Sequence, residues 1–370
     1  GQSWGMADSV FPSSARWIQS RHCGGVADGA AAPWFRKRFV LAAVPARATL
    51  QVTALGLVEC ELNGVAVSED QLVPGWTDYA CRVAYRSYEV TDRLREGENV
   101  LGAVLGDGWY CGYVAWCDRQ LYGDRPKLKA ALLLEFADGR SEILPTDSSW
   151  RTATGPIVVN DLLMGESYDA RLELSGWSAP EYDDSAWVEA TEATEQAVEI
   201  CEPLLPPVRR QERFAGSLLS DRILRKTRRI LRYDFGQNLV GRIRLRVSGE
   251  RGTSLVIRHA EMLNPDGSLY LENLRRARAT DIYTCHGEGV EHWEPRFTFH
   301  GFRYAEIEVK GSIDSIEPEA VVLHTDLDPT GDFSCSHPLL NQLFRNIRWG
   351  AKGNFLEIPT DCPQRDERLG

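Results

Sequence analysis

The sequence predicts a mostly β protein in which tandem antiparallel β-sandwiches, jelly-roll-like in character, are followed by a single amphipathic helix. Short runs of branched and aromatic residues, separated by regular turns, occupy residues 34–193 and again 229–328. Many short strands with regular turns are typical of a sandwich or a jelly roll. After residue 329 the apolar residues recur at helical spacing instead.

The size and charge of the chain exclude several classes of protein. A length of 370 residues suggests two or three domains. The net charge of −11 argues against binding to nucleic acid or to anionic membranes, which require basic surfaces. The sequence contains no apolar run as long as a membrane span and no visible signal peptide. The oligomeric state stays open.

The cysteines bear on the cellular compartment. There are nine, and none forms a Cys-x-x-Cys pair. An odd, scattered set is typical of reduced cysteines packed as small apolar residues, which favours a cytoplasmic location. A periplasmic or secreted location stays open if a leader sequence is removed before this numbering begins.

Residues 1–33 are predicted to be an N-terminal extension, and the first sandwich follows over 34–193. Runs at 35–40, 48–55 and 127–136 have strand character. Asn63 and Gly64 lie between strand-forming residues, and this dipeptide is the strongest short signal for a β-hairpin. We therefore expect antiparallel strands joined by tight turns.

Residues 106–116 contain more aromatic residues and glycines than a scaffold requires. Trp109, Tyr110, Tyr113 and Trp116 give this segment four rings. One interpretation is a loop that stacks on sugar, with Trp109, Tyr110 and Trp116 as the candidate residues. The other is a glycine-rich bulge closed by core aromatics, which residue statistics favour.

A second polar motif lies at the end of the first sandwich. Glu166, Asp169 and Arg171 are predicted to form a buried polar latch, and a structural calcium ion bound by the two acids is the alternative. The spacing matches no calcium loop, which favours the latch. We expect that the protein requires no cofactor.

An irregular linker is predicted over 194–228, since prolines and a charged run interrupt the strand pattern there. The second sandwich is predicted over 229–328. Its histidines are expected to be surface or hydrogen-bonded residues, because their spacing in the sequence is too wide to indicate a metal site. They are His259, His286, His292 and His300.

The helical pattern begins at His337 and is predicted to end at Pro359, with Ser336 as the capping residue. Three acids and two arginines then crowd into residues 361–370. A solvated helix boundary and a functional cluster both explain such a composition, and residue types alone favour the first.

Several motifs of the chain resemble those of bacterial α-L-rhamnosidases, glycoside hydrolase family 78. The resemblance extends from about residue 34 to residue 370, and its most specific part is Thr-Asp-Cys-Pro-Gln-Arg-Asp-Glu-Arg-Leu-Gly at the end. The other motifs lie at 62–64, 106–110, 165–171, 233–241, 259–261 and 297–304. The resemblance implies that 34–193 is a carbohydrate-binding-like sandwich. It also implies that 329–370 begins an (α/α)6 barrel of which this chain contains the first helix.

The resemblance also implies the chemistry, which is the inverting hydrolysis of terminal α-L-rhamnose from glycosides or polysaccharides. Glu367 corresponds to the general acid, while Asp361 and Arg365, joined by Asp366, correspond to substrate-binding residues. In an inverting enzyme a second carboxylate roughly 6.5–9.5 Å away activates water. That base lies beyond Gly370, so we do not expect this chain to hydrolyse glycosides alone.

The roles of Arg365 and Glu367 require an irregular backbone. In a regular helix these two positions face nearly opposite sides, whereas Pro363 favours a loop in which both can reach one ligand. Two other functions stay open at this point. The chain is either a non-catalytic, carbohydrate-binding or supporting fragment of such an enzyme, or part of a six-hairpin glycosidase with another sugar specificity.

Overall fold

A computed structural model describes residues 11–24, 31–194, 196–225 and 227–365. It is mostly β, as the sequence predicts, with many short strands and two α-helices within these ranges. Within the same ranges, no helix combines the length and the apolar character that spanning a membrane requires.

The strands of the first part of the chain are mostly short. In chain order they are β1 (Ile18–Gln19), β2 (Pro33–Leu41), β3 (Arg47–Leu55), β4 (Leu57–Leu62), β5 (Val65–Ala66), β6 (Arg82–Ala84), β7 (Arg86–Glu89), β8 (Gly97–Gly106), β9 (Lys127–Glu135), β10 (Ser141–Pro145), β11 (Arg151–Thr154), β12 (Ile157–Asp161), β13 (Gly165–Asp169), β14 (Val188–Glu189), β15 (Thr191–Glu192) and β16 (Glu199–Cys201).

The second part contains longer strands and the longer helix. The strands are β17 (Val208–Ala215), β18 (Ser217–Arg225), β19 (Arg228–Gly249), β20 (Ser254–Ala260), β21 (Thr280–Thr284), β22 (Glu291–Trp293), β23 (His300–Lys310), β24 (Ile313–Thr325), β25 (Phe355–Leu356) and β26 (Ile358–Pro359). The helices of the chain are α1 (Gly108–Cys111) and α2 (Pro338–Gly353), with 3-10 turns at Thr91–Arg93, Ala170–Leu172 and Glu272–Leu274.

Two six-stranded sheets form the first sandwich. One has the order β15-β1-β9-β3-β7 with β10 beside β9, and the other has the order β14-β11-β2-β8-β4-β5. Neighbouring strands in both are antiparallel, and their buried side chains form one core. The predicted hairpin is confirmed, since β4 pairs with β5 across Asn63 and Gly64, which have φ values of 51° and 82°.

The second sandwich forms from one ten-stranded sheet that curls around its own core. Its order is β12-β13-β21-β20-β23-β19-β24-β17, and β18 and β22 also pair with β19. The early residues of β19 pair with β18 and β23, whereas its later residues pair with β24 and β22. This change of partners along one strand bends the sheet around Leu231, Ile243 and Ile307, which are buried.

The prediction that residues 194–228 are irregular is wrong. They contain β16, β17 and β18, and β17 adds an edge to the large sheet by pairing with β24. Its arginines point to acids on neighbouring elements, as in the contacts of Arg209 with Asp70 at 3.1 Å and of Arg210 with Glu294 at 2.9 Å. A charged edge strand resembles a linker in sequence, because its polar side chains do not show the apolar pattern by which strands are predicted. The domain limits themselves stay predictions.

The helix α2 begins one residue later than predicted and also ends earlier. Its N-terminal flanking residue is His337 rather than Ser336, and it ends at Gly353, before Pro359. The Asn354 side chain donates a hydrogen bond to the Gly350 carbonyl at 2.8 Å, and β25 and β26 then form a small hairpin. One face of α2 is exposed and apolar. Its residues are Leu339, Leu340, Leu343 and Ile347.

A buried arginine on β2 anchors the segment that follows the polar motif at 166–171. The side chain of Arg36 is fully buried, and it donates hydrogen bonds to the carbonyls of Trp177 and Ala179 at 2.8 and 2.9 Å. It also forms an ion pair with Asp184. Two residues further along β2, Arg38 pairs with Glu98 in the open, with side-chain exposures of 45% and 59%.

We predict that Arg36→Leu lowers the free energy of unfolding by roughly 3–5 kcal/mol, because the change leaves Asp184 and two carbonyls without their partner. Urea denaturation followed by tryptophan fluorescence measures this loss. The matched control is Arg38→Leu, which removes an exposed pair and should cost no more than about 1 kcal/mol. Equal losses in the two variants would contradict the anchoring role of Arg36.

Candidate active site

A cleft lies between the two sandwiches, which both contribute to one wall, and the segment that follows β26. One wall is aromatic and apolar, and the other consists of residues from the end of the described chain. The residues of the first wall are Trp76, Trp109, Tyr113, Val114, Ala115, Leu162, Leu163 and Phe299. Those of the second are Thr360, Asp361, Cys362, Pro363 and Arg365. The structure therefore brings Trp109 together with Asp361 and Arg365, which are far apart in the sequence.

The segment 361–365 is a non-helical loop, as the roles of its residues require. Thr360 donates its backbone N–H to the Asn354 carbonyl at 2.7 Å, and Arg365 donates its own to the Cys362 carbonyl at 3.3 Å. The prediction of an irregular loop is thus confirmed for 361–365. Asp366 and Glu367 lie outside the described residues, and their roles stay predictions.

A glycine of the large sheet sets the position of this loop. A Cβ at Gly301, on β23, would lie 2.8 Å from the Cβ of Gln364 and 3.2 Å from its backbone nitrogen. Such approaches are closer than packed side chains allow, so only glycine lets the loop rest directly on the strand. Sequence reasoning missed Gly301, because nothing local to the sequence shows that another segment packs on it.

The three predicted sugar-binding aromatics do not share one surface. Trp109 lines the cleft, and its ring stacks on that of Trp76 at 5.8 Å with an angle of 11° between the planes. Tyr110 is buried in the core, with its ring edge-on to Tyr79. Trp116 is 52% exposed and lies beneath the guanidinium of Arg275. The structure thus brings Trp109 alone of these three to the cleft.

A buried charge cluster fixes the loop that carries Trp109. The Arg119 guanidinium forms ion pairs with Asp107 and Asp161, and the Asp161 contact measures 3.1 Å. Asp161 also accepts the backbone N–H of Tyr113 at 2.9 Å. Burial raises the pKa of Asp107 to about 6, although Arg119 opposes the shift. These contacts hold the aromatic wall in place.

A second missed residue lies just before the loop. Glu357 is buried, and its carboxylate pairs with the Arg86 guanidinium at 3.1 Å. Burial raises the pKa of Glu357 to about 7, with Arg86 opposing the shift. The pair connects the first sandwich to the β25–β26 hairpin. A single acid in an apolar run at 355–358 was the only signal in the sequence.

The predicted three-residue latch is wrong. Asp169 pairs with Arg171 at 2.8 Å near the surface, whereas Glu166 is fully buried and accepts the backbone N–H groups of Arg296 and Phe297 at 3.1 and 3.2 Å. Side chains alternate along a strand, so positions 166 and 169 of β13 point to opposite faces. The calcium alternative stays a prediction.

Two of the four histidines lie together despite their distance in the sequence. His259 on β20 and His300 on β23 stack with ring centroids 4.0 Å apart, and both are fully buried. The Nε2 of His300 lies 3.0 Å from the Asp281 carboxylate. The prediction that these two residues are hydrogen-bonded is confirmed. The spacing of these residues along the chain gave no indication of this cluster, because the pairing of β20 with β23 brings the two residues together.

Three domain families match the chain in order. They are the alpha-L-rhamnosidase N-terminal domain at 43–212, the bacterial alpha-L-rhamnosidase concanavalin-like domain at 225–324 and the bacterial alpha-L-rhamnosidase 6 hairpin glycosidase domain at 328–370. The chain belongs to the bacterial α-L-rhamnosidase family, glycoside hydrolase family 78.

Curated relatives share this assignment. An alpha-L-rhamnosidase of Streptomyces avermitilis is 48% identical over 325 residues, which cover 88% of this chain and 31% of the relative. One from Formosa agariphila is 37% identical over 350 residues, covering 91% of this chain and 36% of the relative. The chain therefore spans about a third of the length of these relatives.

Solved structures agree with the fold. The S. avermitilis enzyme, crystallised in complex with L-rhamnose, superposes with a TM-score of 0.86 at 47% identity. The matched region covers 92% of this chain and 33% of the S. avermitilis chain. The α-L-rhamnosidase of Aspergillus terreus superposes with a TM-score of 0.88 at 39% identity, and the matched region covers 97% of this chain and 42% of the A. terreus chain.

The raised pKa of Glu166 predicts a pH-dependent stability. Burial, with the nearby Asp281 charge adding to it, raises that pKa to about 8, so the folded chain holds a proton that the unfolded chain releases near pH 4.5. Stability from this group is complete below the unfolded pKa and is lost as the pH rises through 8. Between the unfolded pKa of 4.5 and the folded pKa of about 8, the wild-type free energy of unfolding should fall by about 1.4 kcal/mol per pH unit relative to that of Glu166→Gln.

Urea denaturation at a series of pH values measures this difference. The control is Asp169→Asn on the same strand, since Arg171 lowers the pKa of Asp169 and the carboxylate stays ionised throughout. The effect of that change should be the same at each pH. A difference between wild type and Glu166→Gln that does not vary with pH would show that the Glu166 carboxyl is ionised in the folded chain.

Proposed function

We propose that this chain supplies the β-domains and the first catalytic loop of an α-L-rhamnosidase that releases terminal α-L-rhamnosyl residues from glycosides or polysaccharides. The observation that carries the proposal is the shared cleft of Asp361, Arg365 and Trp109. The family membership and the L-rhamnose complex of the S. avermitilis relative support it. The activity is that of the whole enzyme, of which this chain spans about a third.

The chemistry of the cleft suits a deoxy-sugar. Rhamnose presents ring hydroxyls and a methyl group, so a site for it needs hydrogen-bonding side chains beside an apolar surface. Asp361 accepts hydrogen bonds and Arg365 donates them, while Trp76, Trp109 and Phe299 supply the apolar wall. In this proposal Asp361 and Arg365 hold the sugar hydroxyls, and Asp366 joins them.

Glu367 acts in this proposal as the general acid that protonates the leaving oxygen. The residue must therefore carry a proton near neutral pH, and a desolvated position with neighbouring acids would favour that state. The residue that activates water comes from a later part of the six-hairpin domain, because inversion places it on the opposite face of the sugar. The two β-domains hold the loop and complete the wall of the cleft.

The state of the cysteines supports a reducing compartment. All nine are unbonded, and three of them, Cys23, Cys111 and Cys285, are buried. Persistent disulfides are a feature of oxidising compartments, so we propose a cytoplasmic location.

The role of Glu367 is tested by Glu367→Gln in a protein that carries this chain and a complete six-hairpin domain. We predict that the variant lowers kcat by about 10²–10⁴-fold on an alkyl α-L-rhamnoside. The loss should be much smaller on a nitrophenyl α-L-rhamnoside, whose leaving group departs with little protonation. Asp366→Asn is the control, since loss of a sugar contact should affect both substrates equally. Equal losses on both substrates for Glu367→Gln would exclude it as the acid.

The apolar wall is tested by Trp109→Phe, which keeps an aromatic ring but removes part of the surface facing the cleft. We predict that kcat/KM for a rhamnoside falls by about tenfold, which corresponds to about 1.4 kcal/mol of lost contact. Trp116→Phe is the matched control, because Trp116 lies on the same loop but outside the cleft. An equal loss in both variants would contradict the assignment of Trp109.

A further inference from the structure

The large sheet contains a buried cluster of two imidazoles and a carboxylate that the hydrolysis does not use. His259 on β20, Asp281 on β21 and His300 on β23 belong to three adjacent strands, with β20 in the middle. All three side chains are fully buried, and one potential ligand atom from each lies within 4.8 Å of the others.

The hydrogen bonds of the cluster leave an imidazole nitrogen without a partner. The Nδ1 of His259 lies 2.7 Å from the Ala279 carbonyl, so this nitrogen carries the hydrogen and donates it. The Nε2 of His259 then has a lone pair, and this buried atom has no hydrogen-bond partner among the described residues. It lies 3.7 Å from a carboxylate oxygen of Asp281, which is also an acceptor. A buried lone pair facing another acceptor is unfavourable unless a donor or a cation lies between them, and a metal ion is one group that satisfies both atoms.

The distances fit a first-row transition metal. Metal–ligand bonds of about 2.0–2.2 Å in a tetrahedron place neighbouring ligand atoms about 3.3–3.6 Å apart. The observed separations from the Asp281 oxygen are 3.0 Å to His300 Nε2 and 3.7 Å to His259 Nε2, on either side of this value. The second shell fits at His259, which donates its other N–H to the Ala279 carbonyl as ligating histidines usually do. At His300 the Nε2 is hydrogen-bonded to Asp281 in this structure, and the buried Nδ1 has no partner among the described residues.

A backbone group orients the carboxylate of the cluster. Glu166 on β13 donates its backbone N–H to the Asp281 carboxylate at 2.9 Å.

We propose that His259, Asp281 and His300 form a structural site for one divalent first-row transition cation, of which Zn²⁺ is the representative. Imidazole ligands suit this class of metal, whereas calcium and magnesium prefer oxygen ligands. A bound cation would link three strands of the large sheet. It would also stiffen the support of the catalytic loop, because Gly301, against which Gln364 packs, directly follows His300.

The test is the metal content of the 370-residue chain, expressed in medium that contains Zn²⁺ and freed of loose metal by brief chelation and gel filtration. We expect one zinc per chain by mass spectrometry of the digested protein. His259→Gln and His300→Gln should each lower the bound fraction by at least about tenfold, the cost typical of disturbing a metal shell. His286→Gln and His292→Gln, which lie outside the cluster, should keep one zinc per chain.

Binding of Co²⁺ gives a second measurement that uses only the wild-type chain. It therefore tests the proposed metal site even if a variant does not fold. Chain produced with Co²⁺ should show the visible absorption of tetrahedral cobalt without the band of a thiolate ligand. Wild-type chain with only traces of zinc would overturn the proposal, as would full occupancy in both cluster variants. A thiolate band would place the metal on a cysteine elsewhere and overturn it too. None of these measurements depends on rhamnosidase activity.

Discussion

The contact between Gly301 and Gln364 determines where the loop of 361–365 lies. Within the loop Arg365 donates its backbone N–H to the Cys362 carbonyl at 3.3 Å, and the strand beneath the loop limits where it can lie. A Cβ on the strand would meet the Cβ of Gln364 at 2.8 Å, and the loop can rest on β23 only because residue 301 is glycine. Trp109 and Phe299 then form the wall opposite Asp361. The β-domains therefore form one wall of the cleft that contains Asp361 and Arg365.

Buried charges hold the parts of the chain in register around this cleft. The fully buried Arg242 of β19 donates hydrogen bonds to Gln71 of the first sandwich at 2.6 Å and to Glu294 at 2.9 Å. Glu357 joins the hairpin before the loop to Arg86 at 3.1 Å. Such groups need all their partners, since a buried charge that loses one becomes very costly. They make the arrangement specific in a way that apolar packing between two sandwiches would not.

Predictions from the sequence succeeded where the determining interactions are local. The Asn63-Gly64 turn and the start of the long helix depend on the residues themselves. The turn occurs as expected, and the helix starts within one residue of its predicted position. Predictions failed where distant strands decide. An arginine-rich segment forms the edge strand β17 because β24 lies beside it. His259 and His300 meet because β20 pairs with β23, a contact that no local pattern reveals.

The sequence by itself determined the mostly β class, the single long helix and, through its terminal motif, the rhamnosidase family. Those features follow from side-chain periodicity, from the residues that favour turns and from the residues of the terminal motif, all of which are properties of contiguous sequence. Only the tertiary structure decided which aromatic ring faces the cleft, that Glu166 bonds to a distant backbone, and that His259 joins Asp281. Glu166, His259 and Asp281 lie on strands paired over long separations, where a shift of one residue in register would turn each side chain to the other face. Trp109 lies in α1, whose position depends on the buried contacts of Arg119 with Asp107 and Asp161.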